Sequence, residues 1–132
     1  MRYLGILLVI FLGMNACKAP KRAMVELPLG KYDVINLYGE SIDDKARVDM
    51  NFDSQLKRVT GSTGCNKYSA PMIMEEGSLI IGNAMVTEMY CTFMPIESKF
   101  LKAMVEVASY QYEADEILLL DENKNVILKG KK

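Results

Sequence analysis

The 132-residue sequence contains no histidine and no tryptophan. Histidine is the side chain that most often acts as a general base near neutral pH, and it is the commonest zinc and copper ligand. Its absence excludes most familiar catalytic and metal-binding arrangements. A positive charge excess is also missing, because 16 basic and 17 acidic residues give a formal net charge of -1. We therefore expect one globular domain with no cofactor, no metal and no nucleic-acid partner.

A long transmembrane run is missing too, but a shorter apolar segment opens the chain. Residues 4–12 are nearly all apolar and follow the positive Arg2, and Ala16 precedes Cys17. A transmembrane helix needs about 20 apolar residues, so this layout predicts a cleaved secretory signal over residues 1–16. The cysteine at the cleavage point resembles the lipobox of bacterial lipoproteins, which implies acylation of Cys17. The alternative is a plain secreted protein cut at the same place.

The next segment, residues 17–30, is predicted to be the lipidated cysteine and a tether. Its first part has no apolar periodicity and contains a helix-breaking proline. In the sorting rules of enteric bacteria, an Asp directly after the lipidated Cys retains the protein in the inner membrane. Lys18 stands there instead, so the resemblance to lipoproteins implies a protein of the cell envelope, anchored in the outer membrane and facing the periplasm.

From Lys31 onward the apolar residues mostly alternate, and turn signals recur about every ten residues, as in an antiparallel sheet. In the clearest strand, residues 46–53, the side chains of Val48, Met50 and Phe52 lie on one face. The predicted fold class is α+β, with a small curved antiparallel sheet, a meander or partial barrel, and one helix packed on it across residues 31–130. The other predicted strands are 56–60, 67–74, 78–81, 84–89, 110–113, 117–120 and 126–128.

The predicted helix covers residues 95–108. Pro95 suits a first helical turn, and the carboxylate of Glu97 favours the positive N-terminal end of a helix. Apolar residues recur behind them at the spacing of one buried helical face. Those residues are Ile96, Phe100, Ala103, Met104 and Val107.

The densest local signal is the segment 61–68, in which two glycines and small hydroxyl residues connect two predicted strands. Such a turn permits positive φ angles and a close approach of the backbone. A phosphate-binding loop needs a different spacing and a following helix. A nucleophile elbow at Cys65 needs a helix and an activating base, and neither follows from the sequence.

This segment and two later ones resemble the META domain, also called HslJ-like. The family has a strand that ends in Val-x-Gly, then Gly-Cys-Asn-Arg/Lys-Tyr/Phe, a Thr-x-Met-x-Cys segment, and a helix with Glu before Phe-Leu. The resemblance covers about residues 31–128. Two positions depart from the family pattern: the chain has Tyr32 where the family usually opens with Trp-x-Leu, and it has Tyr90 where a small residue is common. The matching positions are Gly61, Gly64, Cys65, Asn66, Lys67, Tyr68, Thr87, Met89, Cys91, Glu97 and Phe100.

The resemblance implies a small α+β domain without an established catalytic activity. The family is linked by association to heat shock, antibiotic tolerance and virulence. We therefore expect a non-enzymatic, membrane-anchored module that binds an unidentified envelope protein or a small ligand during envelope stress. One alternative is an assembly factor that pairs with another envelope protein through a sheet edge. Another is a thiol-dependent enzyme or redox sensor built on Cys65.

Cys65 and Cys91 are the only thiols that remain once Cys17 is acylated. A pair of cysteines in an oxidising compartment favours a disulfide, which would stabilise the fold by about 3 to 4 kcal/mol through loop entropy. The alternative is two buried, unpaired thiols. Two sulfurs without CxxC spacing or histidine do not make a zinc site. Methionines such as Met72 and Met74 fit a core better than a Cu(I) site.

Overall fold

The computed structural model describes residues 27–132. The signal segment 1–16, Cys17 and most of the tether lie outside the described residues. The elements are β1 Gly30–Leu37, β2 Glu40–Ser41, β3 Asp49–Asp53, β4 Arg58–Ser62, β5 Lys67–Glu75, β6 Ser78–Ile81, β7 Met85–Val86, α1 Met94–Glu106, β8 Ser109–Glu113, β9 Glu116–Leu120 and β10 Val126–Lys131, with a short 3-10 turn at Asp44–Ala46.

Eight of these strands form a closed antiparallel barrel, in the order β1-β3-β4-β5-β6-β8-β9-β10 and back to β1. Closure comes from the pairing of the first strand with the last, in which Val34 lies opposite Gly130. The expected partial barrel is therefore corrected to a closed one. The narrowest junction is between β6 and β8, which pair only at Ser78 and Ser109. Alternation predicts which face of a strand is buried but not which strands pair, so closure was not predictable from it.

Gly130 shows why the last strand fits against the first. A Cβ atom at this position would lie 3.0 Å from the Tyr32 Cβ and 3.1 Å from both the Ile117 Cγ2 and the Met50 Cε. Any side chain at position 130 would push these three core residues apart. The lysine-rich C-terminal end, which the sequence pattern left outside the strands, thus belongs to β10 as far as Lys131.

Several predicted strands agree with the structure in type and differ in extent. The alternation of Val48, Met50 and Phe52 is confirmed, because all three are buried. However, β3 begins only at Asp49, since Arg47 adopts a left-handed backbone conformation with φ of 51°. The strand predicted at residues 84–89 is reduced to the two residues of β7, because the backbone beyond it turns away to a side-chain partner described below.

The helix α1 packs one face into the barrel core, as its periodicity predicts. Phe100, Ala103 and Met104 are buried, and the exposed Val105 lies on the other face. The hydroxyl of Tyr38, in the turn after β1, donates to Glu106 at 2.6 Å and so ties the C-terminal end of α1 to the barrel. The three consecutive leucines of β9 are all buried, which confirms that this strand is apolar on both faces.

Candidate functional site

The turn between β4 and β5 is built on two residues, Thr63 and Asn66. The Thr63 amide donates to the Asn66 carbonyl at 2.8 Å, and the Asn66 amide donates to the Thr63 hydroxyl at 2.9 Å. Gly64 between them has φ of +97°, and a Cβ there would lie 3.0 Å from the Ala46 carbonyl oxygen. The turn therefore needs glycine at this position for both its conformation and its space.

Beyond β7, hydrogen bonds to the side chain of Asn66 take the place of strand pairing. Its Oδ1 accepts from the Met89 amide at 2.7 Å and from the Thr87 hydroxyl at 2.9 Å, and its Nδ2 donates to the Met89 carbonyl at 3.0 Å. The Thr87 hydroxyl also accepts from the Lys67 amide at 3.1 Å. A single buried amide thus holds the irregular segment before α1 against the turn.

Glu97 completes this network from the first part of α1. Its side chain is buried, its two oxygens lie 3.1 and 2.9 Å from Asn66 Nδ2, and the Thr63 hydroxyl donates to one of them. No ion pair involves Glu97 within residues 27–132. Neutral donors and the positive end of the helix therefore offset the cost of burying the carboxylate.

A disulfide joins Cys65 to Cys91, with the Cα atoms 5.7 Å apart. It lies beside the Asn66 network and connects the same two segments, the β4–β5 turn and the chain just before α1. The Phe93 amide also points to the Cys91 sulfur at 3.2 Å. The predicted pairing is confirmed, and in this state neither sulfur is a free thiolate that could act as a nucleophile.

The remaining buried motif residues contact β3 and the helix. Gly61 lies so close to Asp49 that a Cβ atom would overlap the Asp49 carbonyl oxygen. The Tyr68 hydroxyl donates to that same oxygen at 3.1 Å, and the Tyr68 ring meets Phe100 edge-to-face with centroids 5.3 Å apart. Burial, followed by the nearby charge of Asp49, raises the pKa of the Tyr68 hydroxyl above its ordinary value.

Two motif residues, Lys67 and Met89, contribute their backbone to the network while their side chains are exposed. Thr63 is the network member that the sequence analysis missed. Its position three residues before Asn66, in a turn rich in glycine and small hydroxyls, is typical of local side-chain to backbone bonding. The eleven predicted motif positions and Thr63 therefore converge on one structural cluster, which we call the motif cluster.

The family model of the META domain matches residues 25–132. The chain belongs to the META domain family. Among solved structures it is similar to a DUF4847 family protein from Bacteroides vulgatus, with 16% identity, a TM-score of 0.59, and coverage of 77% of this chain and 91% of that one. A protein from Burkholderia xenovorans gives 18% identity, a TM-score of 0.60, and coverage of 78% and 81%. These likenesses concern the fold. No curated protein matches the chain.

Beside the motif cluster, this META domain has an open groove of about 550 Å³ between the segment after β7 and α1. Its floor contains the buried Asn66 and Glu97. The surrounding side chains include Met89 and Tyr90, which are 62% and 92% exposed. We call this the motif groove; its other lining residues are Ala84, Val86, Thr87, Glu88, Met94 and Leu101.

A second groove of about 800 Å³ lies on the other side of the β4–β5 turn and is lined mostly by charged residues of both signs. Lys31 lies 3.6 Å from Asp49 and 3.8 Å from Asp33 within it. Within residues 27–132, no other ion pair joins two of the charged residues that line this groove. Residues 27–132 contain no group of three or more His, Cys, Asp and Glu side chains that could hold a metal ion. Met72 is buried, and Met74 packs against the core.

Proposed function

We propose that this META domain protein is a non-enzymatic binding module held at a membrane of the bacterial envelope by a lipid on Cys17. One observation carries the proposal. The polar groups and the two sulfurs of the motif cluster, apart from the exposed Lys67 side chain, are engaged in internal bonds, whereas Met89 and Tyr90 at the adjacent groove remain exposed. Groups held in structural bonds are unsuited to turnover, and an exposed apolar rim suits binding.

The proposed anchor rests on the sequence of the first 17 residues. Within residues 27–132, no helix is long and apolar enough to cross a membrane. A doubly acylated cysteine holds a domain at a membrane far more firmly than a single acyl chain. Lys18 favours the outer membrane and a periplasm-facing domain, where the oxidising environment also favours the Cys65–Cys91 disulfide.

The proposed binding site is the motif groove. Methionine and tyrosine side chains are well suited to contact surfaces, since methionine adapts its shape and tyrosine offers a large area with a polar end. Met89 and Tyr90 are the most exposed of these side chains, and their backbone is held in place by Asn66 and the disulfide. The groove therefore presents apolar groups on a rigid support, as a partner or ligand of matching apolar character requires.

The first test is the intact mass of the protein extracted from native membranes and alkylated without reduction. We expect a chain that begins at an acylated Cys17 and takes up no alkyl group. An unacylated chain would refute the anchor, and alkylation at Cys65 would revive the thiol-dependent alternative. The same measurement thus separates the binding module from a redox sensor.

The second test places a photoreactive amino acid at Tyr90 in intact cells, with Lys45, which is exposed on the 3-10 turn, as the matched control. We expect a defined adduct at position 90 that is missing at position 45. A small mass increase would indicate a ligand, and a large one a protein partner. The absence of any specific adduct at position 90 would count against the motif groove as the binding site.

The alternative of an assembly factor that adds a strand to a sheet edge receives less support. Pairing of β1 with β10 leaves both terminal strands with neighbours on each side, and strand addition needs a free edge. The β6–β8 junction, which pairs at one position, is where that alternative would have to act. A photoreactive residue at Gln111, exposed on β8, distinguishes it from binding at Tyr90.

A further inference from the structure

A second set of exposed apolar side chains lies where the described chain enters the barrel. Leu27 and Leu29 precede β1 and are 38% and 45% exposed, and Leu56 in the β3–β4 turn is 68% exposed. Ile73 and Ile80 are 63% and 53% exposed. We call this set the entry face; it consists of Leu27, Leu29, Leu56, Ile73 and Ile80.

Three of these residues, Leu27, Ile73 and Ile80, are neighbours in the fold, and Leu56 directly precedes Lys57 of the same region. Ile73 and Ile80 lie directly opposite each other on β5 and β6, so their side chains form one cross-strand pair. Leu27 and Ile73 line the same groove of about 350 Å³, together with Lys57 from the β3–β4 turn. Single exposed aliphatic residues are common on protein surfaces, but a contiguous group of them usually marks a contact surface.

The position of the entry face relative to the proposed anchor identifies what it contacts. Cys17 is ten residues before Leu27, and ten residues span at most about 35 Å. A domain of this size has a radius of gyration of about 13 Å, so its diameter is similar to the reach of the tether. A tether of this reach favours an orientation in which the side of the barrel that carries Leu27 faces the bilayer. Turning the opposite side toward the lipid would require the tether to run its full length around the domain.

We propose that the entry face rests on the lipid bilayer when the chain is anchored, so that the domain has a fixed orientation and its motif groove is displayed away from the membrane end. This inference rests on the proposed lipid anchor. Burial of aliphatic side chains in the interface drives the contact. Lys57 and Glu75, which line the same groove, carry opposite charges, so the contact does not depend on anionic lipid.

The topology supplies a matched pair of reporter positions. Gln55 is exposed in the β3–β4 turn, next to Leu56. Asp44 is exposed on the 3-10 turn and lines the charged groove with Gly64, at the other end of strands β4 and β5. The chain has no tryptophan, so Gln55→Trp and Asp44→Trp each introduce a single tryptophan, which is excited selectively over the tyrosines at long wavelength. Both variants keep every residue of the entry face.

The experiment measures tryptophan quenching by phosphatidylcholine brominated on its acyl chains. The mature chain from Cys17 is coupled through that thiol to a maleimide lipid in the vesicles, which is selective because Cys65 and Cys91 are paired. We expect at least threefold more quenching for Gln55→Trp than for Asp44→Trp. Adding Ile73→Asp and Ile80→Asp to the Gln55→Trp chain should reduce its quenching to the level at position 44.

Equal quenching at the two positions would overturn the inference, as would quenching at position 55 that is unaffected by the two aspartates. Circular dichroism checks that the aspartate variant folds. The comparison of Gln55→Trp with Asp44→Trp tests the orientation even if that variant does not fold. Because coupling to the lipid is chemical, the result does not depend on acylation in the cell. An unacylated native chain would refute the proposed anchor, whereas equal quenching would refute only the orientation.

Discussion

The side-chain amide of Asn66 lies within hydrogen-bonding distance of both carboxylate oxygens of Glu97, at 3.1 and 2.9 Å, although 31 residues separate the two in the chain. The contact joins the β4–β5 turn to the start of α1. The disulfide links Cys65, the residue before Asn66, to Cys91, in the segment just before α1. A covalent bond and a buried polar network thus perform one task, which is to hold the helix against the barrel.

Removal of the Asn66 amide is expected to destabilise the fold strongly. Asn66→Ala leaves the buried Glu97 carboxylate without its principal donor, and such a loss costs about 3 kcal/mol. The measurement is the free energy of unfolding in urea, with Asn51→Ala as the control because Asn51 is exposed on β3. Equal stability of the two variants would contradict the role assigned to the network.

Loss of the disulfide is expected to lower the free energy of unfolding by about 3 to 4 kcal/mol, because the bond closes a loop of 26 residues. The test is the double variant Cys65→Ser and Cys91→Ser, because a single substitution would leave the other cysteine as a free thiol. Its unfolding midpoint should equal that of the wild-type domain in reductant. The double variant itself should not respond to reductant, and an unchanged midpoint in the wild type would count against the bond.

Glycine is expected to be required at position 64 for two separate reasons. Gly64→Ala suffers both an unfavourable positive φ and contact with the Ala46 carbonyl, whereas Gly77→Ala has a positive φ of 76° in open space. We expect Gly77→Ala to cost about 1 kcal/mol and Gly64→Ala about 2 to 3 kcal/mol. Thermal or urea unfolding measures both. A smaller loss at position 64 than at position 77 would refute the close packing of the turn.

Ionisation of Tyr68 is expected to weaken the fold at alkaline pH. Burial raises the pKa of this hydroxyl in the folded state, whereas in the unfolded chain it titrates near its ordinary value of about 10. The contribution is therefore complete below about pH 10 and is lost as the pH rises beyond it. Urea unfolding from pH 8 to pH 11 should show a shallower alkaline decline for Tyr68→Phe than for the wild type.

The exposed Tyr90 provides the control for this pH dependence, since Tyr90→Phe should follow the wild-type curve. Some decline should remain in Tyr68→Phe, because burial and a hydrogen bond to Glu106 also raise the pKa of Tyr38. An alkaline decline that is identical in Tyr68→Phe and the wild type would contradict the assignment to Tyr68.

Much of the local structure was predictable because it depends on near neighbours in the chain. Alternation in residues 48–52 determined which side chains of β3 are buried, and the spacing of Phe100, Ala103 and Met104 determined the buried face of α1. The prediction for residues 84–89 was wrong in extent because Asn66, 23 residues before Met89, takes the backbone bonds of Met89 that a longer strand would have used. A side-chain partner that distant leaves no periodic signal.

The sequence by itself determined the strand faces, the helix, the family motif and the fact that two cysteines were available to pair. Only the tertiary structure decided that β1 pairs with β10 to close the barrel, and that Thr63, Asn66 and Glu97 form one buried network. The physical reason is the range of the interactions. Periodicity and turn chemistry act over a few residues, whereas closure and buried hydrogen bonds depend on the packing of segments far apart in the chain.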